Sequence, residues 1–300
     1  MILVVGATGL VGGEVCRRLA ARGIPARALV RATSDPAKVE ALRSLGLDLV
    51  QGDLRDPASL TDACRGVSAV ISTISSMPFA YEAGVNDITT TDMEGSLHLV
   101  DAARAAGVQH FVYTSFSGNI DLDFPLRNAK RTVEAYLKLS GMTYTILRPS
   151  YFMEVWLSPA VGFDAANAKA TIYGDGSNPI SWIALGDVAE FAVRSLDNPA
   201  ARNAILELGG PAALTPRQVV GIYERVLGRP FETVHVPAEA LASQQSAATD
   251  PMQQSFTGLM RCYASGDAID IRPTLRDFPV TLTAVDEHAE ASARAMAVPV

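Results

Sequence analysis

The chain predicts an α/β fold, a doubly wound parallel sheet with a smaller C-terminal α+β lobe, on three observations. Short apolar runs alternate with helical stretches through the first half. The runs are near-continuous rather than alternating, as in Ala69-Val-Ile-Ser-Thr-Ile74, which fits strands buried on both faces. A glycine-rich turn joins the first run directly to a helix. Repeated strand-then-helix order at this spacing implies a parallel sheet covered on both sides.

The first run, residues 2–5, is β-branched and enters a turn with Gly6, Gly9 and Gly12, after which residues 13–22 carry a helical pattern. This order builds a pyrophosphate site. Gly6 makes the tight turn, Gly9 admits the phosphates, Gly12 lets helix and strand pack closely, and the helix N-terminus offers N–H groups and a positive dipole end to the anion. Further strands are expected at 26–30, 47–50, 69–74, 110–114 and 143–147, and helices near 36–45, 57–65, 92–106 and 126–139.

From about Ser150 the rhythm changes. Residues 170–179 read as a strand and a turn, 180–184 and the helix after Gly186-Asp187 as a return to the sheet, and 203–208 as another strand. Thr215-Pro216 supplies an N-cap and a proline for a helix that stops before Gly228 and Pro230. Residues 232–236 form a short strand, 238–265 are helical, and 272–300 hold one more helix after 277–283. Residues 1–150 are therefore expected to form a dinucleotide-binding Rossmann domain, with 180–208 returning to it. Residues 151–179 and 209–300 are expected to form the smaller substrate-binding lobe.

Composition narrows the function classes. Hydrophobic residues make up 48% and charged residues 19% of the chain, which excludes a disordered protein. No apolar run approaches the roughly 18 to 20 residues of a membrane helix. The chain opens on a core strand, so no targeting segment is expected, and a cytoplasmic location is. Net charge of -7 argues against a nucleic-acid surface. Cys16, Cys64 and Cys262, like the four histidines, are scattered, so no metal site is expected. The expected partner is a small-molecule substrate, with a second copy of the chain as a further candidate.

Residues just after each strand are those that would meet a ligand. Arg31 ends the second strand, where an NAD-selective fold places an acid on the ribose 2′-hydroxyl. A guanidinium there pairs with a 2′-phosphate instead, so NADP(H) is the expected cofactor, with Thr33, Ser34 and Lys38 near enough to complete the clamp. The alternative is an ordinary solvated arginine. Asp53, after the third strand, is expected to accept from the adenine amino group while Leu54 packs on the ring, or else to cap the next helix. Ser72 and Thr73 end the fourth strand with small side chains that let a nucleotide approach, or simply fill the strand.

With these pieces in place the chain resembles the NmrA-like family of atypical short-chain dehydrogenases/reductases. The resemblance rests on Gly6-Ala-Thr-Gly-Leu-Val-Gly12, Val30-Arg31, Gly52-Asp-Leu54, Phe111-Val-Tyr-Thr-Ser115, Leu147-Arg-Pro149 and Tyr151-Phe-Met-Glu154. In the fingerprint it makes Thr8, Leu10 and Val11 cofactor neighbours beside the glycines. It implies a working lysine on the helix after the fifth strand, the place of Lys130. The tyrosine usual four residues earlier is Leu126, and the usual hydroxyl after the fifth strand is Phe116. Lys130 alone would then orient the cofactor or protonate product, unless it merely faces solvent and pairs with Glu134 at i,i+4.

Hydride transfer itself requires no acid from the protein, only a carbon electrophile held about 3 to 3.5 Å from the donor with water excluded. The depleted site suits quinones, enones, imines and benzylic electrophiles, and Met77, Phe79, Phe116, Tyr151, Phe152, Met153, Trp156 and Trp182 offer matching apolar material. Tyr151 is the expected replacement proton donor. The competing expectation is a non-catalytic NADP-binding redox sensor.

Overall fold

The computed structural model describes residues 1–297. Seven strands form the main sheet in the order β3-β2-β1-β4-β5-β6-β9: β1 (Ile2–Val5), β2 (Ala26–Val30), β3 (Asp48–Gln51), β4 (Ala69–Ser72), β5 (His110–Thr114), β6 (Thr143–Pro149) and, later in the chain, β9 (Ala204–Leu208). The pairs from β3 through β6 are parallel, with Ile2 opposite both Ala26 and Ala69. Because the chain winds outward from β1 to β3 and then resumes at β4 on the other side, the switch point lies between β1 and β4. That is where such sheets hold ligands.

Helices α1 (Leu10–Ala21), α2 (Pro36–Ser44), α3 (Pro57–Ala63), α4 (Ser96–Ala105) and α5 (Pro125–Leu139) follow their strands. Their starts are written in the sequence: Asp35 accepts from Ala37 N–H and Asp56 from Ala58 N–H, each followed by proline. The fourth strand stops at Ser72, two residues short of the expected run, with Thr73 N–H still bonded to the carbonyl of Val5. The helix expected at 92–106 starts earlier, as a π-helical turn over Ile88–Gly95 that runs into α4. Asp87 starts it through a reciprocal box, accepting from Thr90 N–H at 2.8 Å while its own N–H reaches Thr90 Oγ1 at 3.2 Å.

The chain forms two compact units, residues 1–116, 125–148 and 188–206 in one, and 117–124, 149–187 and 207–300 in the other. Residues 117–124 and 180–187 thus fall in the second unit, whereas the sequence pattern groups them with the first. The first unit is built on Leu3, Val5, Val70, Leu99, Phe111, Tyr113, Val133 and Ile146, all buried among the sheet and its helices.

The second unit has a three-stranded sheet, β10-β8-β7, from β7 (Phe163–Asp164), β8 (Lys169–Tyr173) and β10 (Glu232–Val236). Residues 180–184 form no strand. Ile180 and Ile183 make single bridges, to Leu214 and Asp267 and to Phe152. The remaining helices are α6 (Met153–Trp156), α7 (Leu185–Arg194), α8 (Pro216–Leu227), α9 (Ala238–Ala247), α10 (Pro251–Ser265), α11 (Arg272–Asp277) and α12 (Val285–Ala297). A Thr215–Gln218 capping box opens α8 and left-handed Gly228 closes it. The helical stretch expected over 238–265 is two helices, because Pro251 cannot continue α9 and Asp250 caps a new start. The stretch 272–300 likewise holds two, and its last three residues lie outside the described ones.

Candidate functional site

The glycine turn lies at the switch point. Gly6 takes a left-handed φ of +86°, and a Cβ there would stand 2.8 Å from Thr73 Oγ1. At Gly12 a Cβ would stand 2.1 Å from the carbonyl oxygen of Gly6, so only glycine lets α1 come this close. Unlike α2 and α3, which Asp35 and Asp56 cap, α1 starts at Gly9 with no side-chain cap. Its N–H groups and dipole end are left to an anion. Thr8 is half-buried, Leu10 is exposed, and Val11 is buried under the helix start. At the end of β4, Ser72 is fully buried with its Oγ lacking a hydrogen-bond partner, and Thr73 Oγ1 reaches Val5 O at 3.3 Å. A cradle that a Cβ would fill, an uncapped helix and an orphaned hydroxyl fit a dinucleotide diphosphate.

Arg31 sits after β2, half-buried, its backbone N–H bonded to Ser34 Oγ at 2.9 Å. Thr33 and Lys38 are exposed nearby in the chain. The Asp53 carboxylate does not cap α3, a task that falls to Asp56. It holds Arg55 instead: Oδ1 accepts from Arg55 N–H and Nε, both at 2.9 Å, and Oδ2 from Nη2 at 2.7 Å. Those bonds, with a smaller contribution from the charge of Arg31, hold the Asp53 carboxyl below its ordinary pKa against the opposing effect of partial burial. Leu54 is clamped from the other side, since a Cβ on Gly95 would stand 2.6 Å from Leu54 Cβ.

Lys130 does not face solvent. Only 4% exposed on α5, it donates to the carbonyl of Ile74 at 2.5 Å and stands 3.4 Å from Asp92 Oδ1. Its Nζ also lies 5.4 Å over the Tyr113 ring. Asp92, on the π-helical turn, is fully buried, and its Oδ2 accepts from Ser76 N–H at 3.0 Å and Ser76 Oγ at 2.6 Å. Burial lowers the Lys130 pKa from its ordinary value, and the Asp92 charge opposes that shift.

Glu134 is not the partner of Lys130 in an i,i+4 pair. It takes Arg131 Nη1 at 2.6 Å and, from β6, Arg148 Nη2 at 2.6 Å. Leu126, in the place of the usual tyrosine, is buried, and Phe116 lies under the Arg131 guanidinium, 5.2 Å from the ring centre. Neither can handle a proton.

Tyr151 belongs to the second unit and is 2% exposed, its hydroxyl donating to the Leu259 carbonyl at 3.0 Å. Burial pushes its pKa well above the ordinary phenol value. This placement weighs against the expected proton-donor role, because the hydroxyl is committed to a backbone carbonyl and an anionic phenolate would be desolvated. The ring instead joins an aromatic cluster, 4.8 Å from Trp156 and 5.7 Å from Tyr263, with Trp182 at 6.4 Å. Trp182 and Met153 are wholly buried and act as core, whereas Phe79, in the first unit, is 62% exposed.

Asp92, Ser76 and Arg55 are not among the residues singled out by the sequence pattern. A signal for Asp92 exists: it falls on the stripe Ile88, Asp92, Ser96, Leu99, Ala103, where spacing of three and four residues marks the buried face. A carboxylate on an apolar stripe implies a buried partner, but the stripe alone does not say which cation.

The NmrA-like family model matches residues 1–289. A (4-alkanoyl-5-oxo-2,5-dihydrofuran-3-yl)methyl phosphate reductase of Streptomyces griseus is 34% identical over 281 residues, 92% of each chain. An NAD(P)H azoreductase of Xenophilus azovorans is 33% identical over 242 residues, 80% of this chain and 78% of that one. Among solved structures, an Escherichia coli NADPH-dependent quinone oxidoreductase complexed with NADPH superposes with a TM-score of 0.78 at 24% identity, over 98% of this chain and 100% of that one, a likeness of fold. With its matching sequence, sheet order and glycine turn, the chain belongs to the NmrA-like family.

Proposed function

We propose that the protein is an NADPH-dependent reductase that delivers hydride to a small apolar or aromatic electrophile of the quinone, enone, imine or benzylic type. The observation that carries the reading is the uncapped start of α1, pressed on the Gly6 turn so closely that position 12 admits no Cβ. Relatives named as reductases using NAD(P)H support it. In this reading Gly6, Thr8, Gly9, Leu10, Val11 and Gly12 surround the diphosphate, and Ser72 and Thr73 line its approach. Arg31 pairs with the 2′-phosphate, and Asp53 with Leu54 borders the adenine. When bound, NADPH supplies the hydride. Lys130, a buried cation with N–H groups to give, orients the nicotinamide ribose and donates to the oxygen or nitrogen that gains charge on the substrate.

The second unit is the proposed substrate-binding lobe. The reading extends to a cytoplasmic protein acting as a homodimer, which sedimentation analysis tests. No helix among the described residues is long and apolar enough to cross a membrane.

Incubating the protein with NADPH and a panel of quinones, enones, imines and triarylmethane dyes, while following the reduced-nicotinamide absorbance, tests the reading. Acceptor-dependent NADPH oxidation is expected. Tight NADPH binding without turnover on any acceptor would favour a non-catalytic redox sensor, a reading to which buried Leu126 in place of an acid lends support.

A further inference from the structure

We infer that Asp92 is a positioning residue for Lys130, its buried carboxylate keeping the ε-amine protonated and drawn against the Ile74 carbonyl so that one N–H remains for a bound molecule. The inference rests on the reading that Lys130 works at the cofactor. Three observations lead to it. Asp92 has no solvent exposure, and a buried carboxylate without a cation is strongly disfavoured. Its Oδ2 is held by two donors from Ser76, whereas Oδ1, 3.4 Å from Lys130 Nζ, accepts no hydrogen bond. The carboxylate is therefore fixed on one side and presents its other oxygen to the amine. Lys130, in turn, uses one N–H on Ile74 and lies within ion-pair distance of Asp92. An ammonium has three.

The electrostatic surroundings of Lys130 are mixed. Asp92 from the π-helical turn and Glu134 from its own helix favour the charged form, and burial disfavours it. Tyr113 from β5 faces it through the ring, and its phenol is held neutral by burial and by the charge of Asp92. Arg131, next along α5, already has Glu134 as its counter-ion. Asp92, 3.4 Å away, is thus a carboxylate at ion-pair distance that opposes deprotonation of this amine. The wider π-helical turn places it there, in keeping with the frequent use of such turns at functional sites.

The chain has four lysines, Lys38, Lys130, Lys138 and Lys169, so NMR of protein labelled with 13C at the lysine ε-carbon gives a short list of signals, with Lys130→Arg identifying the one of interest. In the wild-type protein that signal should show the ammonium form at pH 7. In Asp92→Asn its titration midpoint should fall by about one unit or more, roughly a tenfold change in the ionisation constant, and Asp92→Glu should recover most of the shift. A neutral amine at pH 7 in the wild type, or an unchanged midpoint in Asp92→Asn, would overturn the inference. The wild-type measurement holds even if the Asn variant fails to fold. NADPH affinity, read by fluorescence across the same pH range, should decline at the Lys130 midpoint and follow it in Asp92→Asn. If the midpoint moves but Lys130→Ala binds and oxidises NADPH as the wild type does, the coupling stands and the cofactor role of Lys130 fails.

Discussion

At the residue scale the site depends on what two positions lack and what two others carry. A methyl group at Gly12 would overlap the Gly6 carbonyl, so Gly12→Ala must push α1 away from the turn. Overpacking of this kind costs about 1–3 kcal/mol, and NADPH affinity should fall at least tenfold in a fluorescence titration. Full retention of binding would show that the turn does not hold the diphosphate. Arg31→Asp replaces a guanidinium by a like charge for the 2′-phosphate. Hydrogen bonds to charged groups are worth about 1.5–3 kcal/mol each, so NADP should lose roughly a hundredfold in affinity and NAD far less. Equal losses would remove Arg31 from the 2′-phosphate. Lys130→Ala should lower turnover by about two orders of magnitude, the lower end for a proton-donating group, in stopped-flow reduction of whichever acceptor proves active.

At the element scale, the π-helical turn Ile88–Gly95 carries Asp92 to Lys130 and is itself set by its first residue. Asp87 accepts from Thr90 N–H and from Gly84 N–H, and those bonds hold its carboxyl below the ordinary pKa despite partial burial. Loss of such a cap costs about 1 kcal/mol. Asp87→Ala should therefore lower the urea midpoint and speed amide exchange across residues 88–95 before the rest of the sheet. Uniform exchange with no local change would show the turn to be held by packing alone. The contrast with α1 is informative, since a helix that begins without a cap at a sheet switch point keeps its N–H groups for something outside the chain.

At the scale of the whole molecule, half-buried His110 and His288 and buried Glu134 contribute to the response to acid. Burial lowers the pKa of His110 and His288, the charge of Arg202 adding to the effect at His110. The unfolded chain binds those protons more readily, so stability should decline as pH falls below about 6.5, the ordinary histidine value. Burial would raise Glu134, but bonds from Arg148 and Ser115 and the charge of Arg131 prevail and its pKa is lowered. Its contribution is complete above the ordinary carboxylate value and is lost as pH falls through the depressed one, giving a second, steeper decline below about pH 4.5. Urea melts at pH 7.5, 5.5 and 4 should show both stages, and Glu134→Gln should flatten the second. The strand positions, the glycine turn and most helix starts were legible in the sequence because they rest on local rules: period, caps, prolines, and a backbone conformation only glycine tolerates. Residues such as Asp53, Lys130 and Tyr151 were legible as positions but not as partners. Which charge meets which depends on contacts between elements far apart in the chain: Asp92 with Lys130 across 38 positions, Tyr151 with the Leu259 carbonyl across 108. The sequence by itself determined the parallel sheet and the glycine turn, because both follow from neighbours within a few residues. Only the tertiary structure decided that the lysine is buried beside Asp92 and the tyrosine a core ring, because burial and pairing are properties of the packed whole.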